Sequence, residues 1–124
     1  MAAARKSIFV VEDDTSMRMS IKRLLREHGF STLLFGSAAA LIDHDDLGAA
    51  ACLIDINLND QSGIALRRQL ADGGVTAPVI YITGNDSPAN RVAAIESGCT
   101  AYLTKPFTAH ALIGSIQQAC PGIG

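Results

Sequence analysis

Reactive polar side chains stand at or just beyond the ends of four short apolar runs: Glu12-Asp13-Asp14, Asp55, Thr83-Gly84-Asn85 and Lys105-Pro106. Carboxylates brought close together raise one another's proton affinity unless a cation intervenes. Oxygen ligands with neither thiolate nor imidazole nearby favour a hard cation, and Mg²⁺ is typically held by carboxylates, waters and phosphate oxygens. Asp13 and Asp55 are the expected ligands. Beside such a cation, a carboxylate can attack phosphorus and form an aspartyl phosphate. That attack brings anion toward anion, so the phosphoryl oxygens must be neutralised as the transition state forms. The Thr83 hydroxyl and the Lys105 ammonium can do this, while Gly84 leaves room for the incoming group and Gly63 opens a helix near Asp55 without adding bulk.

These residues can meet only if the elements that carry them are neighbours. Five apolar runs rich in β-branched residues, at 7–11, 31–35, 50–54, 78–82 and 100–104, alternate with five helical patterns. Met17, Ile21, Leu24, Leu25 and His28 recur at helical spacing before Gly29. Ser37 caps a shorter stripe of Ala38, Leu41 and Ile42, and Ile64, Leu66 and Leu70 follow Ser62-Gly63 and end before Gly73-Gly74. Asp86-Ser87-Pro88 opens a helix through Val92 and Ile95 that closes at Gly98, and the last helix runs from near Thr108 through Leu112, Ile113 and Ile116 to about Ala119. Runs that are continuously apolar fit a parallel sheet covered on both faces. The expected fold is therefore α/β: a flavodoxin-like, doubly wound sheet of five parallel strands in the order 2-1-3-4-5, in a three-layer sandwich with five helices. In that order the polar tips fall in a row along one edge, from acidic to basic.

Composition narrows the classes. The 124 residues are 48% hydrophobic, fit a single domain (1–124, core about 7–119) and argue against disorder. A net charge of -2 with scattered basic residues points away from nucleic acid, and Arg67-Arg68 reads as a solvated helix face. Cys52, Cys99 and Cys120 form neither a CxxC pair nor a regular framework and read as small core residues in a reducing compartment. The apolar run behind Met1-Ala-Ala-Ala-Arg-Lys is too short for a signal peptide and no stretch is long enough to span a membrane, so a cytoplasmic location is expected.

VVEDD, LIDINLNDQSG, VIYITGN and AYLTKPF, in that order and at these separations, resemble the signature segments of response-regulator receiver domains, over residues of about 7–119. The resemblance implies that Asp55 is the phosphoacceptor, that Asp13 binds Mg²⁺ directly with Glu12 acting through water, and that the backbone carbonyl of Asn57 completes the protein's share of the metal shell, with Mn²⁺ a substitute. It further implies that Thr83 is the switch hydroxyl, Tyr102 the aromatic that changes rotamer with it, Lys105 the phosphate-pairing lysine, and the Lys105-Pro106 peptide cis. The implied donor is a phosphohistidine on a sensor histidine kinase or a histidine phosphotransfer protein. The implied output is a change on the surface of the fourth helix, fifth strand and fifth helix, where a partner or a second copy docks. Self-phosphorylation and slow self-dephosphorylation are then the domain's own chemistry, short of an enzyme with turnover. Met17-Arg18-Met19-Ser20 and Thr104-Lys105-Pro106-Phe107 are also similar to receivers that precede a LuxR-type helix-turn-helix. Two positions depart from the pattern: Asn59 stands where the family often has Pro, and Glu12 where Asp is more frequent.

Other readings compete. Taken alone, Glu12-Asp13-Asp14 is a helix cap, Asp55 a turn residue, Thr83 a strand-end hydroxyl, Lys105-Pro106 a turn and Tyr102 a core aromatic with its hydroxyl near the surface. His28, His44 and His110 read as surface or helix-end residues. An aspartyl-nucleophile phosphatase of the haloacid-dehalogenase type is the enzyme alternative, but it needs a second carboxylate two residues after the nucleophile, where this chain has Asn57. A flavin binder would place a phosphate next to three acids, which repel it.

Overall fold

The computed structural model describes residues 7–45 and 47–120; residues 1–6, read above for a targeting signal, Asp46 and residues 121–124 lie outside them. Strands and helices alternate: β1 (Ile8–Val11), α1 (Thr15–Glu27), β2 (Thr32–Phe35), α2 (Ala38–Ile42), β3 (Ala51–Asp55), α3 (Gly63–Asp72), β4 (Val79–Thr83), α4 (Pro88–Glu96), β5 (Ala101–Thr104) and α5 (Ala109–Ala119). The sheet order is β2-β1-β3-β4-β5 and every pairing is parallel.

Because side chains alternate across a strand, the sheet divides the core into two layers. Phe9, Val11, Cys52, Ile54, Val79 and Tyr81 pack with Leu41 of α2, Leu66 and Leu70 of α3 and Ala94 of α4. Ile8, Val10, Leu53, Ile80 and Ile82 pack with Ile21 and Leu25 of α1 and Leu112, Ile113 and Ile116 of α5. Burying each such aliphatic side chain contributes roughly 1.5–3 kcal/mol relative to leaving it exposed. The central strands β1, β3 and β4 are buried throughout, whereas the edge strands β2 and β5 are only partly covered. Continuous burial therefore applies to the interior of the sheet and not to its edges.

Local capping sets the helix starts. Asp14, Ser37, Ser62, Ser87 and Thr108 each accept a hydrogen bond from a backbone N–H in the following turn. Gly29, Gly74 and Gly98, each with φ between 83° and 87°, sit just past the ends of α1, α3 and α4, in a conformation glycine adopts without strain. β3 and β4 extend one residue beyond the apolar runs, so Asp55 and Thr83 are the last residues of their strands and not loop residues.

The helix-end reading of His44 gains a packing role, and the solvated-face reading of Arg67 needs correction. The His44 ring is half-buried beyond the end of α2, edge-on to Phe9 and Phe35 with centroids 5.8 Å and 5.3 Å away. Arg67 is half-buried, it lines a cavity with Ala93 and Glu96 of α4, and its Nε has no hydrogen-bond partner among the described residues. Helical spacing marks the apolar stripe but says little about residues flanking it. No helix among the described residues is long and apolar enough to cross a membrane.

Candidate functional site

The acidic run divides three ways. Asp14 caps α1 through its 3.0 Å bond from Met17 N. Glu12 is fully buried, with its Oε2 accepting from Asp14 N at 3.2 Å. Asp13 is half-buried and accepts from Asn59 N at 2.8 Å. A proline at position 59 would have no N–H to donate, so the departure at Asn59 adds a tie between the loop after β3 and Asp13. Asp60 anchors the same loop further, accepting from Ala38 N and Ala39 N at 3.2 Å and 3.0 Å.

Asp55 lies at the tip of β3, 4% exposed, beside Ile82 in the β4 register. Its Oδ1 accepts from Asn57 N at 2.9 Å and its Oδ2 faces Lys105 Nζ at 3.1 Å. Gly63 makes this packing feasible: a Cβ there would run into the Asp55 carbonyl and sit 2.7 Å from the Ile54 side chain. At Gly84, by contrast, a Cβ would meet only the Lys105 stem at 3.8 Å, an ordinary contact. Lys105 also pairs with Glu12 Oε1 at 2.5 Å, and the Lys105–Pro106 peptide is cis.

One carboxylate oxygen from each of Glu12, Asp13 and Asp55 falls within a set whose members are all within 4.8 Å of one another. The electrostatics follow from this crowding. Burial, then a hydrogen bond and charge from Asp55, push the Glu12 carboxyl up to about 7 against the opposing pull of Lys105. Burial works against the Lys105 ammonium, but hydrogen bonds and charge from Glu12 and Asp55 outweigh it, so its proton is held more tightly than an ordinary lysine's. An all-oxygen donor set carrying this much negative charge suits a hard divalent cation.

Thr83 is fully buried at the tip of β4. Its hydroxyl donates to Asn57 Oδ1 at 2.8 Å and accepts from Asn85 N at 3.0 Å, so it is directed at the Asn57 amide and not at Asp55. Tyr102 is half-buried in β5, with its hydroxyl donating to Asp86 Oδ1 at 3.1 Å. Arg91 grips the same carboxylate through Nε at 2.8 Å and Nη2 at 2.9 Å, and its guanidinium lies over the Tyr102 ring, 5.0 Å from the centroid.

Sequence reasoning named the Glu12, Asp13, Asp55, Asn57, Thr83 and Lys105 positions that the fold gathers. It missed Arg18, whose Nη1 donates to the Glu12 carbonyl at 2.7 Å, the bond from the Thr83 hydroxyl to the Asn57 side chain, the Asn59 N–H, and the Asp86–Arg91 pair. Arg18 follows the acidic run by one helical turn, a spacing that could have pointed to it. The others depend on loop conformation, which leaves no periodic signal.

A family profile described as the response regulator receiver domain matches residues 8–117. Response regulator protein TodT of Pseudomonas putida is 33% identical over 113 residues, covering 90% of this chain and 50% of that protein. Sensory transduction protein RegX3 of Mycobacterium tuberculosis is 37% identical over 112 residues, covering 90% of this chain and 49% of that protein. The chain thus spans about half the length of these relatives. Among solved structures, FixJ-N is similar with a TM-score of 0.86 and 28% identity, covering 98% of both chains. A CheY-like receiver domain protein from Methanospirillum hungatei has a TM-score of 0.83 and 27% identity, covering 93% of both chains. Neither the amide at Asn57 nor any of these similarities supports the phosphatase alternative. With five parallel strands in the order 2-1-3-4-5 and a family match across almost their whole span, the chain belongs to the response regulator receiver domains of two-component signalling.

Proposed function

We propose that Asp55 accepts a phosphoryl group from a phosphohistidine on a sensor histidine kinase or a histidine phosphotransfer protein. An Asp55 carboxylate oxygen forms a bond to phosphorus as the bond from phosphorus to the donor imidazole nitrogen breaks, and the imidazole leaves. Lys105 already contacts Asp55 and can follow the new oxygens. Thr83 reaches them by exchanging its bond to Asn57 for one to the phosphoryl group. The residues that would hold a divalent ion are Glu12, Asp13 and Asp55 with the backbone carbonyl of Asn57, and their all-oxygen chemistry fits Mg²⁺, or Mn²⁺ in its place. When bound, that ion offsets the negative charge that opposes the attack. Asp55 among clustered carboxylates with a lysine 3.1 Å away carries this reading.

The chemistry is self-phosphorylation and slow self-dephosphorylation within a cytoplasmic signalling domain, 1–124 being one unit. Its readout is the surface of α4, β5 and α5, where Val92 and Ile95 of α4 are 53% and 71% exposed and can meet a partner or a second copy. Incubation with acetyl phosphate and Mg²⁺ should add the mass of one phosphoryl group, and Asp55→Asn should abolish the addition. Labelling that persisted in Asp55→Asn would reject the assignment.

A further inference from the structure

Three groups outside the acidic cluster form a closed triangle. The Tyr102 hydroxyl donates to Asp86, Arg91 pairs with Asp86 through two nitrogens, and the Arg91 guanidinium covers the Tyr102 ring. Each member touches the other two, so the ring cannot turn inward without losing both its hydrogen bond and its cation contact. The Tyr102 phenol registers its setting: burial, the hydrogen bond to Asp86 and the charge of Asp86 push it up, while Arg91 pulls the other way.

The triangle is also wired to the strand tip. Thr83 Oγ1 accepts from Asn85 N at 3.0 Å, and the Asn85 carbonyl accepts from Asn90 Nδ2 at 2.7 Å, one residue before Arg91. Asp86 follows Asn85 directly. If the Thr83 hydroxyl turns toward a phosphoryl group, the Asn85 N–H loses its present geometry, and the segment carrying both Asp86 and Arg91 is loosened. This is a continuous chain of contacts from the acceptor site to the aromatic ring.

We propose that Asp86 and Arg91 are positioning residues that hold Tyr102 in its solvent-side rotamer in the resting domain and thereby oppose activation. The proposal rests on the phosphoacceptor reading of Asp55 for its functional consequence, though the clamp can be measured without it. The contacts are exposed, so the bias is modest and screened by salt.

The test uses the full chain with Arg91→Gln, Arg91→Lys and Asp86→Asn, each in the Tyr102 and the Tyr102→Ala background. The chain has two tyrosines, and Tyr81 is fully buried, so the NMR signals of the Tyr102 ring can be assigned as those lost in the Tyr102→Ala background. In the resting protein, Arg91→Gln should move the Tyr102 signals in the direction that beryllofluoride and Mg²⁺ move them in the wild type, with Arg91→Lys moving them less. Labelling by acetyl phosphate should then run roughly threefold to tenfold faster, as a shifted conformational equilibrium would require. That gain should vanish in the Tyr102→Ala background, which a merely structural role for the ion pair would not produce. Unmoved ring signals in both Arg91→Gln and Asp86→Asn would overturn the clamp, as would an equal gain without Tyr102. Ring signals released in Arg91→Gln, together with a wild-type chain that takes no label from acetyl phosphate, would uphold the clamp and defeat the phosphoacceptor reading.

Discussion

Two carboxylates in this domain each face a cation, and their proton affinities move in opposite directions. Glu12 meets Lys105 where its side chain has no exposure, and is pushed up to about 7; Asp86 meets Arg91 where the two side chains are 39% and 56% exposed, and is lowered. At Glu12, burial leads and the nearby Asp55 adds to it, so one ammonium is not enough. At Asp86, the hydrogen bond from Arg91 leads and solvent keeps the cost of burial small. An ion pair thus stabilises charge only in proportion to what else surrounds it. The buried set is poised to take another cation, whereas the exposed set is already balanced and suited to opening and closing.

The contrast can be broken most strongly at Lys105. Lys105→Met removes the ammonium that faces both Glu12 and Asp55, and labelling by acetyl phosphate should fall by roughly a hundredfold, the scale seen when one charge-stabilising donor is lost. A rate within a few-fold of wild type would show that the lysine is not part of the chemistry.

Proton linkage at Glu12 should sharpen it. The folded-state value of about 7 lies above the ordinary 4.5, so the folded chain holds a proton that the unfolded chain has released between those two values. This contribution to stability is complete below 4.5 and is lost as pH rises through about 7. In the presence of a chelator, denaturant titrations should show a loss on the order of 2 kcal/mol across that window, flattened in Glu12→Gln. Equal slopes in the two proteins would contradict the linkage.

A divalent ion should reverse the imbalance. Mg²⁺ at about ten times its dissociation constant should stabilise the fold by about 1.4 kcal/mol. Thermal melts of Asp13→Asn should show most of that gain missing; a full gain would remove Asp13 from the ion site. At the exposed set the expected effect on stability is smallest: Arg91→Gln should leave the melting temperature unchanged within error while releasing the Tyr102 ring, and a clear drop would mean that the pair supports the fold.

The order of elements was legible because apolar period is a local property. Val10 and Val11, Leu53 and Ile54, and Ile80 to Ile82 mark strands, while Ile21 with Leu25 and Leu66 with Leu70 mark helix faces. Strand order then placed Glu12, Asp55, Thr83 and Lys105 on one edge. The burial of Arg67 and the ring contacts of His44 were not legible because each lies beside an apolar stripe, where the neighbour's shape decides burial.

By itself the sequence determined which residues could meet, since chain direction and a right-handed doubly wound sheet admit few ways of arranging five strand tips. Tertiary structure decided how they meet: that Thr83 faces the Asn57 amide, that the Asn59 N–H binds Asp13, that Asp60 caps α2 from 22 residues away, and that Asp86, Arg91 and Tyr102 close on one another. Each of these depends on side-chain rotamers and loop paths chosen by packing across the fold, and a rotamer leaves no trace in the spacing of residues along the chain.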